Sequence, residues 1–172
     1  MNTTLLIFFS DHGTGVGERF GERNYGSFTY EETIRAFFLF MGKNIVKNRL
    51  SESLRENIDI FPTILDFADI KTDFDGSGES FNSYLKNTNK DLENKQYVYS
   101  ETGALQGPYP SPMKPNVFCV KTVEHKLIYL KTPEEWRLYN LKNDPNEMDN
   151  IFNENEIISK ELKKKLLEWI NR

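Results

Sequence analysis

Eight residues near the amino terminus constrain this chain more than any others. Residues 3–10 (TTLLIFFS) form a nearly continuous apolar run that stops at Asp11 and His12 and gives way to a glycine-rich stretch. A run that does not alternate has no polar face, so it predicts a strand covered on both sides, as in a parallel sheet flanked by helices. That is an α/β expectation. Such a strand at the start of a chain has nothing before it to supply its neighbours, so the sequence reads as a piece of a larger fold.

Residues 11–26 (DHGTGVGERFGERNYG) hold five glycines in 16 positions. A loop of that length in a compact domain is usually functional. In open α/β sheets ligands collect beyond the carboxyl ends of strands, which is where Asp11 and His12 fall. A carboxylate beside an imidazole can ligate one cation if the backbone departs from strand alternation, and the neighbouring glycines permit that. On spacing alone the pair reads first as a loop aspartate capping backbone amides beside an ordinary histidine, and second as a cation site. Gly13, Gly15 and Gly17 follow a GxGxG pattern, with Glu18 where a dinucleotide fingerprint needs its third spacing, and no apolar helix follows. Dinucleotide binding is excluded.

Further on, residues 29–35 predict a short helix with Thr29 as N-cap and Glu31 and Glu32 in its first turn. Residues 36–41 (AFFLFM) predict a second buried strand. Residues 57–70 carry apolar positions at helical spacing, with Pro62 in the opening turns. A polar connection over 71–95 includes a short helical stretch near 81–85, and a strand follows at 97–101. Four prolines within residues 107–115 exclude regular structure there. Two alternating runs, 116–122 and 126–131, flank residues 123–125 as an antiparallel hairpin. A strand at 136–141, a turn at 143–146 and an amphipathic helix at 157–170 close the chain. The expected division is residues 1–95, part of an α/β domain with a parallel sheet, and 96–172, a small antiparallel α+β subdomain.

Composition narrows the function classes. The chain has 22 basic and 26 acidic residues, a net charge of -4, and no basic block beyond three lysines at 163–165. No nucleic-acid surface is indicated. No run is long and apolar enough for a transmembrane span. Without a leader-like segment, the compartment is open, cytoplasmic by default. Cys119 is the one cysteine, and His12 and His125 are the two histidines. A metal site here must therefore rest mainly on carboxylates and backbone oxygens, or be completed by something else. Cys119 reads as a core residue and His125 as a structural residue of the hairpin turn.

Several segments in order resemble one family. SDHG after an apolar strand, then GERFGERNYGSFTYEETIRAFFLF, then NIDIFPTILDFADI, resemble the carboxyl-terminal half of a sulfatase of the alkaline phosphatase superfamily. ETG, VFCVKTVEHKLIYL and RLYNLKNDPNEMDNI fit the small C-terminal subdomain of those enzymes. The resemblance covers about residues 3–152. It implies a divalent cation at the strand ends: calcium by family, with manganese or zinc in phosphoester and phosphonate relatives. It places Asp11 and His12 among the ligands, and His12 in place of asparagine leans toward a softer metal than calcium. The cation would polarise the ester oxygen and hold the nucleophile.

The departures from the family are informative. The family carries a Lys or His four or five residues before the tyrosine of the YEE segment, where this chain has Gly26 and Tyr25. Arg23 is the nearby residue able to clamp sulfate oxygens, or else a solvated loop arginine. Tyr30, Glu31 and Arg35 read as positioning residues, and Lys126 as a substrate contact. The C/S-x-P-x-R motif that supplies a sulfatase nucleophile is absent: Cys119 precedes Val-Lys-Thr-Val and Ser111 precedes Pro-Met-Lys-Pro. The resemblance therefore implies an incomplete hydrolase, inactive alone. Its partners would be a missing N-terminal half and, when complete, a small organic or sugar sulfate ester. The alternatives are a non-catalytic binding or assembly protein and a fragment of a phosphoester or phosphonate hydrolase. Apolar surface left bare would favour self-association.

Overall fold

A computed structural model of the chain describes residues 4–19, 28–73, 75–103 and 114–172. It divides into two compact units, residues 1–11 with 36–95, and residues 12–35 with 96–172. The division at 95/96 expected from sequence would leave 12–35 in the first unit. These residues belong to the second, and of them Phe28, Tyr30 and Ile34 pack over one face of its sheet.

In the first unit, β1 (Leu5–Phe9) pairs with β2 (Phe38–Gly42) from Leu5 opposite Gly42 to Phe9 opposite Phe38. The pairing is antiparallel, which corrects the expected parallel arrangement of these two strands. An apolar run reports burial and carries no direction, and both senses satisfy the backbone. The expected two-sided burial is also only half met. Phe38 and Phe40 pack on Phe81, with ring centroids 6.3 and 5.3 Å away. On the opposite face, Phe8, Phe37, Leu39 and Met41 are exposed.

Behind the strands, a 3₁₀ turn (Asn57–Asp59) leads into helix α2 (Ile60–Phe67), with Pro62 buried in its first turn. The wholly buried Asp59 organises this region. Its carboxylate accepts from the amides of Glu56 and Glu79 and pairs with Lys95 Nζ at 2.7 Å. Burial works against the Lys95 ammonium, but bonds to Asp59 and Glu56 outweigh it and push its pKa up. A short helix, α3 (Asn82–Lys86), follows.

The second unit opens with helix α1 (Glu31–Ile34), whose N-cap is Tyr30, without a side-chain bond, in place of the expected Thr29. Its sheet is wholly antiparallel, in the order β3 (Val98–Thr102), β4 (Val117–Lys121), β5 (His125–Lys131), β6 (Glu134–Asn140). The β4–β5 pair is the expected antiparallel hairpin, with Val117 opposite Leu130 and Lys121 opposite Lys126. Alternation then assigns the two faces. Phe118, Val120, Leu127 and Leu138 meet Leu162 and Leu166 of helix α4 (Glu156–Ile170). Val117, Cys119, Ile128, Leu130 and Tyr139 meet Phe28 and Tyr30. Cys119 is fully buried, and burial pushes its thiol pKa up, as befits a core residue.

Candidate functional site

Asp11 follows β1 by two residues, and the chain leaves the sheet there. The Ser10 amide still donates to Phe37 O at 3.2 Å. Asp11 is exposed, and its backbone carbonyl accepts a 2.6 Å bond from Asn57 Nδ2. Asn57 thus fixes the backbone from which the Asp11 carboxylate projects. The division between the two units falls immediately after Asp11.

His12, half-buried, hydrogen-bonds through Nδ1 to the carbonyl of Gly13. A carbonyl only accepts, so in the neutral ring Nδ1 carries the proton and Nε2 the lone pair. A histidine whose Nδ1–H is held by a backbone carbonyl has the outer support common to metal-ligating imidazoles. Gly13 is anchored in turn. Its amide donates to Thr33 O at 2.7 Å, and a Cβ on it would stand 2.2 Å from Glu32 O. Only glycine fits against α1 there.

α1 is held by charge. Glu31 accepts from Lys121 Nζ at 2.7 Å and Lys126 Nζ at 3.0 Å, while its amide donates to Glu147 Oε2 at 2.7 Å. Glu147 Oε1 lies 2.6 Å from Lys126 Nζ, an ion-pair contact without hydrogen-bond alignment. Glu32 receives Arg19 Nε at 2.6 Å. Arg19 also donates to the carbonyls of Asn146 and Glu147 and stacks 3.5 Å over the Tyr30 ring. Burial opposes ionisation of Glu31, yet Lys126 and Lys121 outweigh it and hold its carboxyl below the usual range. For Glu147 burial prevails over Lys126 and pushes the carboxyl up.

The structure therefore separates the candidates. Lys126, expected as a substrate contact, has no exposed side-chain surface and is committed to Glu31 and Glu147. The physical reason lies in its strand phase: Lys126 shares a face with Ile128 and Leu130, so it points inward. Arg23 lies outside the described residues. His125 begins β5, its Nε2 3.4 Å from Asn140 Nδ2, consistent with a structural role. Tyr30 and Glu31 position α1. Glu147, Lys121 and Arg19 escaped the sequence reading, although one signal existed. In the hairpin register Lys121 stands directly opposite Lys126. Like charges paired across a ladder demand an acidic partner.

As a cation site the donors are partial. A carboxylate and a neutral imidazole fit two positions of a divalent shell, whereas calcium takes six to eight oxygens. Among the described residues no group of three or more His, Cys, Asp and Glu side chains could hold a metal ion. No helix among them is long and apolar enough to cross a membrane.

Comparison with known proteins supplies the wider frame. The family described as N-sulphoglucosamine sulphohydrolase, C-terminal, matches residues 21–172. An N-acetylglucosamine-6-O-sulfatase of Bacteroides thetaiotaomicron is 30% identical over 168 residues, covering 94% of this chain and 28% of its own length. An arylsulfatase of Clostridium perfringens is 27% identical, covering 91% of this chain and 31% of its own. The chain thus spans under a third of the curated relatives it matches. A structure solved in complex with its substrate D-glucosamine-2-N,6-O-disulfate superposes with a TM-score of 0.78 at 29% identity, over 95% of this chain and 33% of that one. A phosphonate monoester hydrolase of Silicibacter pomeroyi shares the fold, with a TM-score of 0.74 at 17% identity over 97% of this chain and 34% of that one.

Proposed function

Since this chain belongs to the N-sulphoglucosamine sulphohydrolase C-terminal family, we propose that it forms the C-terminal portion of a sulfatase that removes sulfate from a small sulfated amino sugar. The match over residues 21–172 carries the reading. The substrate class follows the relatives, one described as acting at the 6-O position of N-acetylglucosamine and one bound to a disulfated glucosamine.

In this reading the Asp11 carboxylate and His12 Nε2 are two ligands of a divalent cation: calcium by family, or manganese or zinc as the imidazole favours. When bound, the cation supplies polarisation of a sulfate oxygen and charge for holding the nucleophile. The chain's own residues set the stage. Asn57 fixes the Asp11 backbone, Gly13 fixes the His12 tautomer, and Arg23 is the proposed clamp on sulfate oxygens. The nucleophile and the remaining ligands come from polypeptide beyond these residues, and the 172 residues by themselves release no sulfate. The bare face around Phe8 and Leu39 is where further layers of the α/β domain would pack.

A chimera tests the proposal: this chain replaces the matching segment of the Bacteroides N-acetylglucosamine-6-O-sulfatase, and sulfate release from glucosamine 6-sulfate is followed with calcium or manganese. Turnover that disappears in both Asp11→Asn and His12→Ala is expected. A folded chimera without turnover, or one indifferent to both substitutions, would overturn it.

A further inference from the structure

The buried ion cluster of the second unit lies one step from the candidate ligand. Lys121 and Lys126, side by side on β4 and β5, converge on Glu31, and Glu147 closes the cluster through Lys126 Nζ and the Glu31 amide. α1, which carries Glu31, has only four residues. An isolated helix of that length has no stability of its own, so its position is set by what holds it. α1 in turn touches Gly13 twice, through the Thr33 carbonyl and through the close approach of the Glu32 carbonyl. Gly13 O receives the His12 Nδ1–H. Glu147 adds a sign of structural commitment: it is a fully buried non-glycine residue at a φ of 54°. Such backbone persists only where the surroundings enforce it.

We propose that Glu31, Lys121, Lys126 and Glu147 are positioning residues for His12: by clamping α1 to the sheet they fix Gly13, whose carbonyl holds His12 in the Nδ1–H tautomer and leaves Nε2 as the lone-pair nitrogen. The value of that lone pair to a cation rests on the sulfatase reading. The tautomer lock itself needs neither metal nor substrate, so it stands or fails separately.

The test is an imidazole ¹⁵N spectrum of this chain without metal, at a pH where the rings are neutral. Two histidines give two ring systems, and His125→Gln assigns them. The wild type should show His12 as the Nδ1–H tautomer alone. In Glu31→Gln, with circular dichroism and the His125 signals unchanged, His12 should shift toward the Nε2–H form that an unconstrained imidazole prefers in water. Should Glu31→Gln fail to fold, Lys121→Met takes its place with the same two readings, because its ammonium is partly exposed and its loss costs less. A wild-type His12 in the Nε2–H form, or a folded variant that retains the Nδ1–H form, would overturn the proposal. A network that merely stabilised the unit would lower its melting temperature and leave the His12 tautomer untouched.

Discussion

Lys126 and Glu147 lie 2.6 Å apart, Nζ to Oε1, and neither side chain exposes any surface to solvent. Glu31 pairs with the same ammonium at 3.0 Å. The three groups join β5, α1 and Glu147, whose amide closes a turn onto Asp144 O.

The first consequence concerns stability. Removing one member of a buried ion cluster leaves an uncompensated charge, at a cost of about 3–5 kcal/mol. Lys126→Met should lower the urea midpoint of the second unit, read by the fluorescence of Trp136 and Trp169, and Glu147→Gln should do so on the same scale or below it. The double variant should lose less than the sum of the two. Strictly additive losses would show that the pair is not coupled.

The second concerns pH. Glu31 titrates below the ordinary 4.5 because its two lysines outweigh burial. A depressed carboxylate contributes stability above its unfolded pKa and loses it as pH falls through the folded value. Glu147, raised by burial, has the opposite sign: its contribution is full below 4.5 and lost as pH rises through its folded value. The stability difference between wild type and Glu31→Gln should therefore shrink as pH drops below about 4.5. Urea titrations at a series of pH values measure it, and a constant difference would contradict the assignment.

The third concerns association. Phe8 and Leu39 are cross-strand partners that are 51% and 47% exposed, and Phe37 (60%) and Met41 (43%) continue the same face. Where the further layers of the α/β domain are not there to cover it, a contiguous apolar face of this kind favours pairing with another copy. Sedimentation velocity should show concentration-dependent association of the chain, reduced in Phe8→Lys with Leu39→Lys. A wild type that sediments as a monomer at every concentration would rule this out.

Much of the fold was legible in local patterns. The period of two in residues 116–131 located the hairpin, and helical spacing located α4 to within a residue. Asp11 and His12 stood out because a buried-type strand ended there. Arg19 and Glu32 were harder to see, since a loop arginine and a helix glutamate 13 residues apart carry no pattern that marks them as partners.

The sequence by itself determined which positions face inward, because periodicity and hydrophobicity are local properties of the chain. It also carried the ordered segments that mark a sulfatase C-terminal region. Only the tertiary structure decided the antiparallel sense of β1 and β2, the assignment of residues 12–35 to the second unit, and the fate of Lys126. The reason is that burial can be read from one strand, whereas what covers it cannot. Lys126 faces inward by its phase in β5, but whether that position holds a ligand contact or an ion pair depends on Glu31, 95 residues earlier, and on Glu147 in a turn beyond the next strand.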